Sequence, residues 1–290
     1  MLITLENESL RLTVDTLGAQ MMSLQRDAKE YLWQGNPEYW SDRAPILFPF
    51  IARLTNNSYR YKGKTYHMTI HGFASQTDFA PIEQGADYVV LSFSSNIASL
   101  VIYPFDFTLD ITYRLVESSV VVTYSVRNKS EDVMPFGIGG HPGFRVPIGD
   151  TEEFEDYYLE FSYPCQPDRV GFTPAVYLSN VDTRYPLEDD CRIHLQHDLF
   201  DDDAIILKNM CREITLKSAK HFIQVSYPQM AYLGIWHWPK TDAPYVCIEP
   251  WTSLPSRQDI VEDFACKSDL IHLLPGKTYE NTWTITIGEE

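Results

Sequence analysis

Hydrophobic and polar residues alternate with a period of two in many short segments of this chain. The two longest alternating runs cover residues 107–115 and 120–126, and Ser118-Ser119 between them is typical of a turn. No segment sustains the 3.6-residue period of a helix for more than about two turns. Shorter runs recur at residues 10–14, 88–94, 204–207, 221–226, 232–238 and 282–287. The pattern predicts an all-β fold, a large antiparallel β-sandwich of many short strands.

The chain shows no sign of internal division. Its 290 residues contain no linker, low-complexity segment or repeat of fixed period, and this length can bury one sizeable core. We expect a single domain over residues 1–290. Near the end, a turn at Pro275-Gly276 precedes the segment 282–287, which we expect to be a closing edge strand.

Charge and composition exclude several kinds of partner. The formal net charge of −17 disfavours nucleic acid and anionic membranes. No apolar run approaches the ~20 residues of a membrane span, and the amino terminus lacks the regions of a signal peptide. Aromatic residues are 13% of the chain and supply flat faces of the kind that stack on sugars. We expect a soluble, cytoplasmic protein that is a monomer or a homodimer.

The five cysteines predict neither a disulfide framework nor a zinc site built from cysteines. Their number is odd, they are widely spaced, and no C-x-x-C motif is present. We expect no metal among the functional groups.

Glu249 lies where an apolar, β-branched and aromatic run stops. The run Tyr245-Val246-Cys247-Ile248 reads as a strand, and Pro250 and Trp251 follow the carboxylate. Poor solvation in such surroundings raises the pKa of a carboxyl group toward the range of a general base at neutral pH. A strand-end glutamate that only accepts backbone hydrogen bonds is the alternative.

Two of the eight histidines are framed by glycine and an aromatic residue. His71 follows a predicted strand and precedes Gly72-Phe73, and His141 follows Gly139-Gly140 and precedes Pro142-Gly143-Phe144. Glycine lets a ligand approach the backbone closely, so both positions favour a pocket. Arg53 follows an apolar stretch that should be buried, where its guanidinium could bind sugar hydroxyls or form a structural ion pair.

Five motifs in order give the chain a resemblance to a known family. They are Phe48-Pro49-Phe50 with Arg53 and Asn56, His71-Gly72-Phe73, His141-Pro142-Gly143-Phe144, Cys247-Ile248-Glu249-Pro250-Trp251, and Leu274-Pro275-Gly276-Lys277. Together they cover nearly the whole chain, which resembles the aldose 1-epimerase (galactose mutarotase) family and, more narrowly, its LacX-like branch. The resemblance implies a galactose mutarotase-like β-sandwich with an open cleft for a monosaccharide such as glucose or galactose.

The resemblance also implies a role for particular residues. Glu249 would be the general base and His141 the general acid, while His71 and Arg53 would bind and polarise the sugar. An aspartate would bind substrate hydroxyls. Asp203 is the best match for it, with Asp201 and Asp202 as adjacent rivals. The tryptophans that could pack against the sugar ring, unless they are core residues, are Trp236, Trp238 and Trp251.

The expected chemistry is the interconversion of anomers. A base removes the proton of the C1 hydroxyl and an acid protonates the ring oxygen, after which the ring opens, the C1–C2 bond rotates and the ring closes on the other face. No metal or redox cofactor is required.

Three other functions compete with this interpretation. A hexose-6-phosphate epimerase would need basic residues at the cleft rim, for which Arg145 and Arg257 are available. A non-catalytic sugar-binding protein is possible because fold does not fix function. A retaining glycosidase would need two carboxylates about 5–5.5 Å apart, and only one acid is well placed.

Overall fold

The computed structural model describes residues 1–289, and most of its regular structure is β-strand. In this part of the chain the one α-helix, α1, spans Ile97–Ile102, and Asn96 caps it by accepting the backbone N–H of Ser99. None of the described helices is long and apolar enough to cross a membrane. Four 3-10 helices are Thr55–Asn57, Ala74–Gln76, Phe154–Asp156 and His197–Phe200.

The strands are numbered in chain order. They are β1 Leu2–Glu6, β2 Arg11–Asp15, β3 Gln20–Arg26, β4 Lys29–Glu30, β5 Ile46–Leu47, β6 Ser58–Tyr61, β7 Lys64–His67, β8 Ala80–Gln84, β9 Tyr88–Ser94, β10 Phe107–Val116, β11 Ser119–Asn128, β12 Met134–Phe136, β13 Gly139–Gly140, β14 Gly143–Arg145, β15 Tyr158–Phe161, β16 Asp168–Arg169, β17 Thr183–Arg184, β18 Arg192–His194, β19 Ile205–Lys208, β20 Glu213–Lys217, β21 His221–Ser226, β22 Tyr232–Trp236, β23 Tyr245–Trp251, β24 Ile271–Leu273 and β25 Thr278–Glu289.

The longest predicted strands form a hairpin. β10 and β11 pair antiparallel from Phe107 opposite Asn128 to Val116 opposite Ser119. The turn is therefore Glu117-Ser118, one residue earlier than the sequence suggested, and Glu117 has a left-handed φ of 52°. Every second residue of the hairpin is buried, as the alternation predicts.

This hairpin belongs to a nine-stranded sheet with the order β18-β15-β20-β21-β25-β11-β10-β9-β8. β25 pairs antiparallel with β21 on one side and with β11 on the other. The prediction of a closing edge strand at 282–287 is therefore wrong, because this strand is in the middle of the sheet. Its apolar alternation is that of an interior strand as much as of an edge strand, so the sequence could not distinguish the two.

An eight-stranded sheet lies against the same core. Its order is β17-β16-β19-β22-β23-β13-β5, with β14 also paired to β23. The pairs within both large sheets are antiparallel, so the all-β, antiparallel prediction is confirmed. Val246 and Ile248 of β23 belong to the main core, together with residues of the nine-stranded sheet such as Ile285.

The alternation along β23 positions the functional site. Because successive side chains of a strand point to opposite faces, Tyr245, Cys247, Glu249 and Trp251 share the face that turns away from the main core. On this face Glu249 and Trp251 line a cleft, and Tyr245 and Cys247 belong to a separate buried cluster outside the sandwich interior.

Candidate active site

A cleft of about 470 Å³ opens on the outer face of the eight-stranded sheet. Glu249, His141, His71, Arg53 and Asp203 all line it. They come from five separate parts of the chain, so the fold alone brings them together. The aromatic residues of the cleft wall are Trp40, Phe172, Trp236, Trp238 and Trp251.

Glu249 is held at the centre of the sheet. It pairs with Gly234 of β22, and only 1% of its surface is exposed. A side chain at position 234 would crowd the carboxylate, because a Cβ there would lie 3.2 Å from Cβ of Glu249. Glycine at 234 therefore leaves the room that the carboxylate and the neighbouring Trp251 ring occupy.

His141 faces Glu249 from the end of β13. Its backbone N–H donates to the carbonyl of Pro45, and its ring is 8% exposed between the rings of Trp40 and Trp236, with centroids 4.9 and 5.6 Å away. Its Nε2 lies 3.2 Å from Oε2 of Glu249. This contact is not aligned as a hydrogen bond, and both Oε2 of Glu249 and Nδ1 of His141 are buried without a hydrogen-bond partner. Buried polar atoms rarely stay unpaired, so these atoms are suited to a polar ligand in the cleft.

Burial shifts the pKa values of this pair in opposite directions. Desolvation, reinforced by the charge of Asp203, raises the pKa of Glu249 well above its usual value, and the Trp251 side chain opposes this in part. Desolvation, with a further contribution from His71, lowers the pKa of His141 well below its usual value. Both shifts favour the uncharged groups, so the pair keeps one proton at neutral pH.

His71 packs edge-on against His141, with ring centroids 5.5 Å apart. Burial, followed by the nearby Arg53 charge, lowers the pKa of His71 to about 4. The imidazole is therefore neutral at neutral pH and can offer one N–H to a ligand.

Arg53 and Asp203 place opposite charges on the cleft wall. The residues before Arg53, from Leu47 to Ile51, are buried as expected, but Arg53 itself is exposed. Its guanidinium has no ion pair within residues 1–289, so the structural ion pair that the sequence left open is not observed there. Asp203 is the one of the three adjacent aspartates that lines the cleft, whereas Asp201 and Asp202 line only a neighbouring groove.

Four residues of the cleft wall have left-handed backbone conformations. The φ angles are 59° at Ala52, 65° at His71, 62° at Val176 and 76° at Asp203. Such conformations are unfavourable for residues other than glycine, and most of all for a β-branched residue such as Val176. Their concentration around one cleft is typical of a functional site, where surrounding structure holds a strained backbone in place.

Sequence reasoning missed three residues of this region. Trp40 and Asp42 line the cleft although no motif marked them. Cys247 lies beneath it, and its Sγ is within 4.8 Å of ligand atoms of both His141 and Glu249. The period of two along β23 was the available signal for Cys247, because it places residues 247 and 249 on one face.

The two arginines suggested for a phosphate group are not in the cleft. Arg145 is nearly half exposed, pairs with Asp150 and lines a different groove. Arg257 binds both carboxylate oxygens of Glu262, at 2.9 and 2.8 Å. Arg53 is the only arginine or lysine that lines the cleft within the described residues.

Comparison with known proteins places the chain in a family. The family model for aldose 1-epimerase matches residues 1–286. The chromosomal protein LacX of Lactococcus lactis subsp. lactis is 34% identical, with 99% of each chain covered. A galactose mutarotase related enzyme from Lactobacillus acidophilus has the same fold, with a TM-score of 0.94, 34% identity, and 99% and 97% of the two chains covered. A galactose mutarotase-like protein from Lactobacillus casei ATCC 334 gives a TM-score of 0.93 at 31% identity, with 99% of this chain and 100% of that chain covered.

The fold is thus that of a sugar epimerase, which is an isomerase. The chain belongs to the aldose 1-epimerase family, as the sequence resemblance indicated.

Proposed function

We propose that this protein interconverts the α and β anomers of an unphosphorylated hexose such as glucose or galactose. The observation that carries the proposal is the buried contact between Nε2 of His141 and Oε2 of Glu249, 3.2 Å apart at the cleft wall. Anomer interconversion requires one group that takes a proton and one that gives a proton, both within reach of the same sugar ring.

The proton shared by this pair accounts for both halves of the reaction. With the proton on His141, Glu249 takes the C1 hydroxyl proton while His141 protonates the ring oxygen, and the ring opens. The proton then lies on Glu249 and His141 is neutral, which is the state that burial favours. After rotation about C1–C2, the ring closes on the other face: Glu249 returns its proton to the C1 oxygen, and His141 takes back the proton of the hydroxyl group that becomes the ring oxygen again.

The remaining cleft residues bind the sugar in this proposal. Arg53 and the neutral His71 donate hydrogen bonds to sugar oxygens, and the Asp203 carboxylate accepts hydrogen bonds from hydroxyl groups. Trp251, which is 4% exposed at the cleft floor, packs against the apolar face of the ring.

The charge of the cleft favours a neutral substrate over a sugar phosphate. The cleft holds one cationic residue, Arg53, against the carboxylates of Asp42 and Asp203. A phosphate dianion normally needs several positive groups or a bidentate arginine. Arg145 and Arg257 supply none here, because they lie elsewhere and pair with Asp150 and Glu262.

Polarimetry with freshly dissolved α-D-glucose and α-D-galactose tests the proposal. After subtraction of the spontaneous rate, the wild type should accelerate mutarotation, and Glu249→Gln should lose roughly 10²–10⁴-fold, the usual contribution of an acid–base group. Binding of sugar without acceleration would indicate a non-catalytic sugar-binding protein. A KM far lower for glucose 6-phosphate than for glucose would overturn the proposed substrate class.

A further inference from the structure

Three side chains of different chemical kinds meet beneath the cleft. An imidazole nitrogen of His141, Sγ of Cys247 and a carboxylate oxygen of Glu249 all lie within 4.8 Å of one another, and all three residues are buried. The structure contains no second group of this kind among residues 1–289. Cys247 and Glu249 are two residues apart on β23, which fixes them side by side, and His141 faces them from the end of β13.

The proposed reaction assigns no role to Cys247. The proton transfers need one donor and one acceptor, which His141 and Glu249 supply. The thiol packs at the edge of an aromatic cluster that includes Trp33 and Tyr245, and it is fully buried. Its position beside the pair is therefore not explained by the chemistry at C1.

The separation of the imidazole nitrogen and the carboxylate oxygen suits a zinc ion. A tetrahedral zinc ion binds nitrogen at about 2.0–2.1 Å and carboxylate oxygen at about 2.0–2.2 Å, which separates those two ligand atoms by about 3.4 Å. The observed separation of Nε2 and Oε2 is 3.2 Å. Oε2 of Glu249 has no hydrogen-bond partner, so its electron pairs are available to an ion. The fourth position of the tetrahedron would face the cleft.

We propose that His141, Cys247 and Glu249 form an inhibitory site for Zn²⁺ at the floor of the cleft. One thiolate, one imidazole and one carboxylate select a borderline-soft ion such as Zn²⁺ over Mg²⁺ or Ca²⁺, which prefer oxygen ligands. Binding releases the thiol proton and the proton that His141 and Glu249 share, and it occupies both proton-transfer groups, so a zinc-loaded molecule cannot catalyse mutarotation. The inhibitory effect rests on the proposed function, whereas the binding does not.

The test measures binding and activity separately, on the whole chain. Competition with a chromophoric zinc chelator gives the Kd of Zn²⁺ for the wild type, for Cys247→Ala and for Cys211→Ala. Cys211 is the matched control because it is also buried but contacts Ser162 instead. Wild type and Cys211→Ala should each bind one Zn²⁺ per protein chain, with equal affinity. Cys247→Ala should bind Zn²⁺ at least roughly 100-fold more weakly. Loss of a residue that only supports a metal ligand costs up to about 100-fold in affinity, so loss of a ligand itself should cost at least as much.

Mutarotation measured with increasing Zn²⁺ completes the experiment. The wild type and Cys211→Ala should lose activity as the site fills, regain it with EDTA and show no response to Mg²⁺, while Cys247→Ala should stay active at the same Zn²⁺ concentrations. Equal zinc affinity in wild type and Cys247→Ala would overturn the site. Zinc binding that needs Cys247 but leaves mutarotation unchanged would overturn the inhibition. If the wild type showed no mutarotation at all, the proposed function would fail while the chelator competition would still decide the site.

Discussion

Ala52 and His71 are joined by paired hydrogen bonds, one to the ring of His71 and one from its backbone. The N–H of Ala52 donates to Nδ1 of His71 at 3.1 Å, and the backbone N–H of His71 donates to the carbonyl of Ala52 at 3.1 Å. Because Nδ1 accepts a hydrogen bond, the proton of the neutral ring is on Nε2. The two hydrogen bonds thus stabilise the left-handed backbone of both residues, and they leave Nε2 as the nitrogen of His71 that can donate to a substrate.

His71→Asn should separate the structural role of His71 from its role as a hydrogen-bond donor to the substrate. Asparagine tolerates a left-handed backbone and can accept the Ala52 N–H, but it has no donor at the position of Nε2. We expect KM for the preferred sugar to rise about 2–10-fold, the effect of one neutral hydrogen bond, with a smaller change in kcat. Polarimetric kinetics measure both constants, and the melting temperature serves as the control for folding. An unchanged KM would mean that His71 does not contact the substrate.

His141→Ala should cost far more turnover than His237→Ala. Both histidines are buried, but His237 does not line the cleft, and its Nδ1 binds the carbonyl of Trp238 at 2.8 Å. We expect a loss of roughly 10²–10⁴-fold in kcat for His141→Ala, and a much smaller one for His237→Ala when rates are compared per folded molecule. Near-ultraviolet circular dichroism gives the folded fraction. Equal losses in the two variants would remove His141 from the mechanism.

Asp203→Asn and Asp202→Asn form a matched pair. The two residues are adjacent, yet only Asp203 lines the cleft. Removing the charge of Asp203 should raise KM and should also lower the pKa of Glu249, because that charge helps to raise it. A pH–rate profile of kcat/KM should therefore shift toward acid in Asp203→Asn and stay in place in Asp202→Asn. The same shift in both variants would show a general effect of surface charge.

Acid should destabilise the fold through His237. Burial lowers the pKa of this residue from the usual 6.5 to about 4. Between these pH values the unfolded chain binds a proton at position 237 that the folded chain does not, so the free energy of unfolding falls as the pH drops from 6.5 to 4. At about 1.4 kcal/mol per pKa unit the loss is at most about 3 kcal/mol.

Urea unfolding of wild type and His237→Asn across this pH range measures the effect. Asparagine keeps a donor for the carbonyl of Trp238 but does not titrate. The difference in unfolding free energy between the two proteins should therefore shrink as the pH falls, because groups remote from position 237 contribute equally to both proteins. If the unfolding free energies of the two proteins changed in parallel with pH, His237 would not be the source of the destabilisation by acid.

The fold class was predictable because alternation survives in the long strands of the nine-stranded sheet, such as β10, β11, β21 and β25. The alternation in residues 107–115 and 120–126 identifies their buried positions from the sequence, and the structure pairs the two segments as expected. The partners of β25 were not predictable, since pairing over such chain distances depends on the whole sheet. That residues 1–290 form a single domain stays a prediction.

The site was predictable where glycine and proline mark the chain. Glu249, His141 and His71 stand beside such residues, and all three line the cleft. The choice among Asp201, Asp202 and Asp203 could not be made, because a left-handed turn at 203 decides which carboxylate faces inward. Trp40 had no local signal, since only tertiary packing brings its ring against His141.

The position of β25 also bears on how the protein is made. Residues 278–289, which form β25, are synthesised after β11 and β21, the two strands that flank β25 in the sheet. Until β25 emerges from the ribosome, β21 and β11 each present an edge with unpaired backbone groups. Neither half of the nine-stranded sheet can complete its pairing during translation of residues 1–277. We expect the nascent chain to depend on chaperones at this stage.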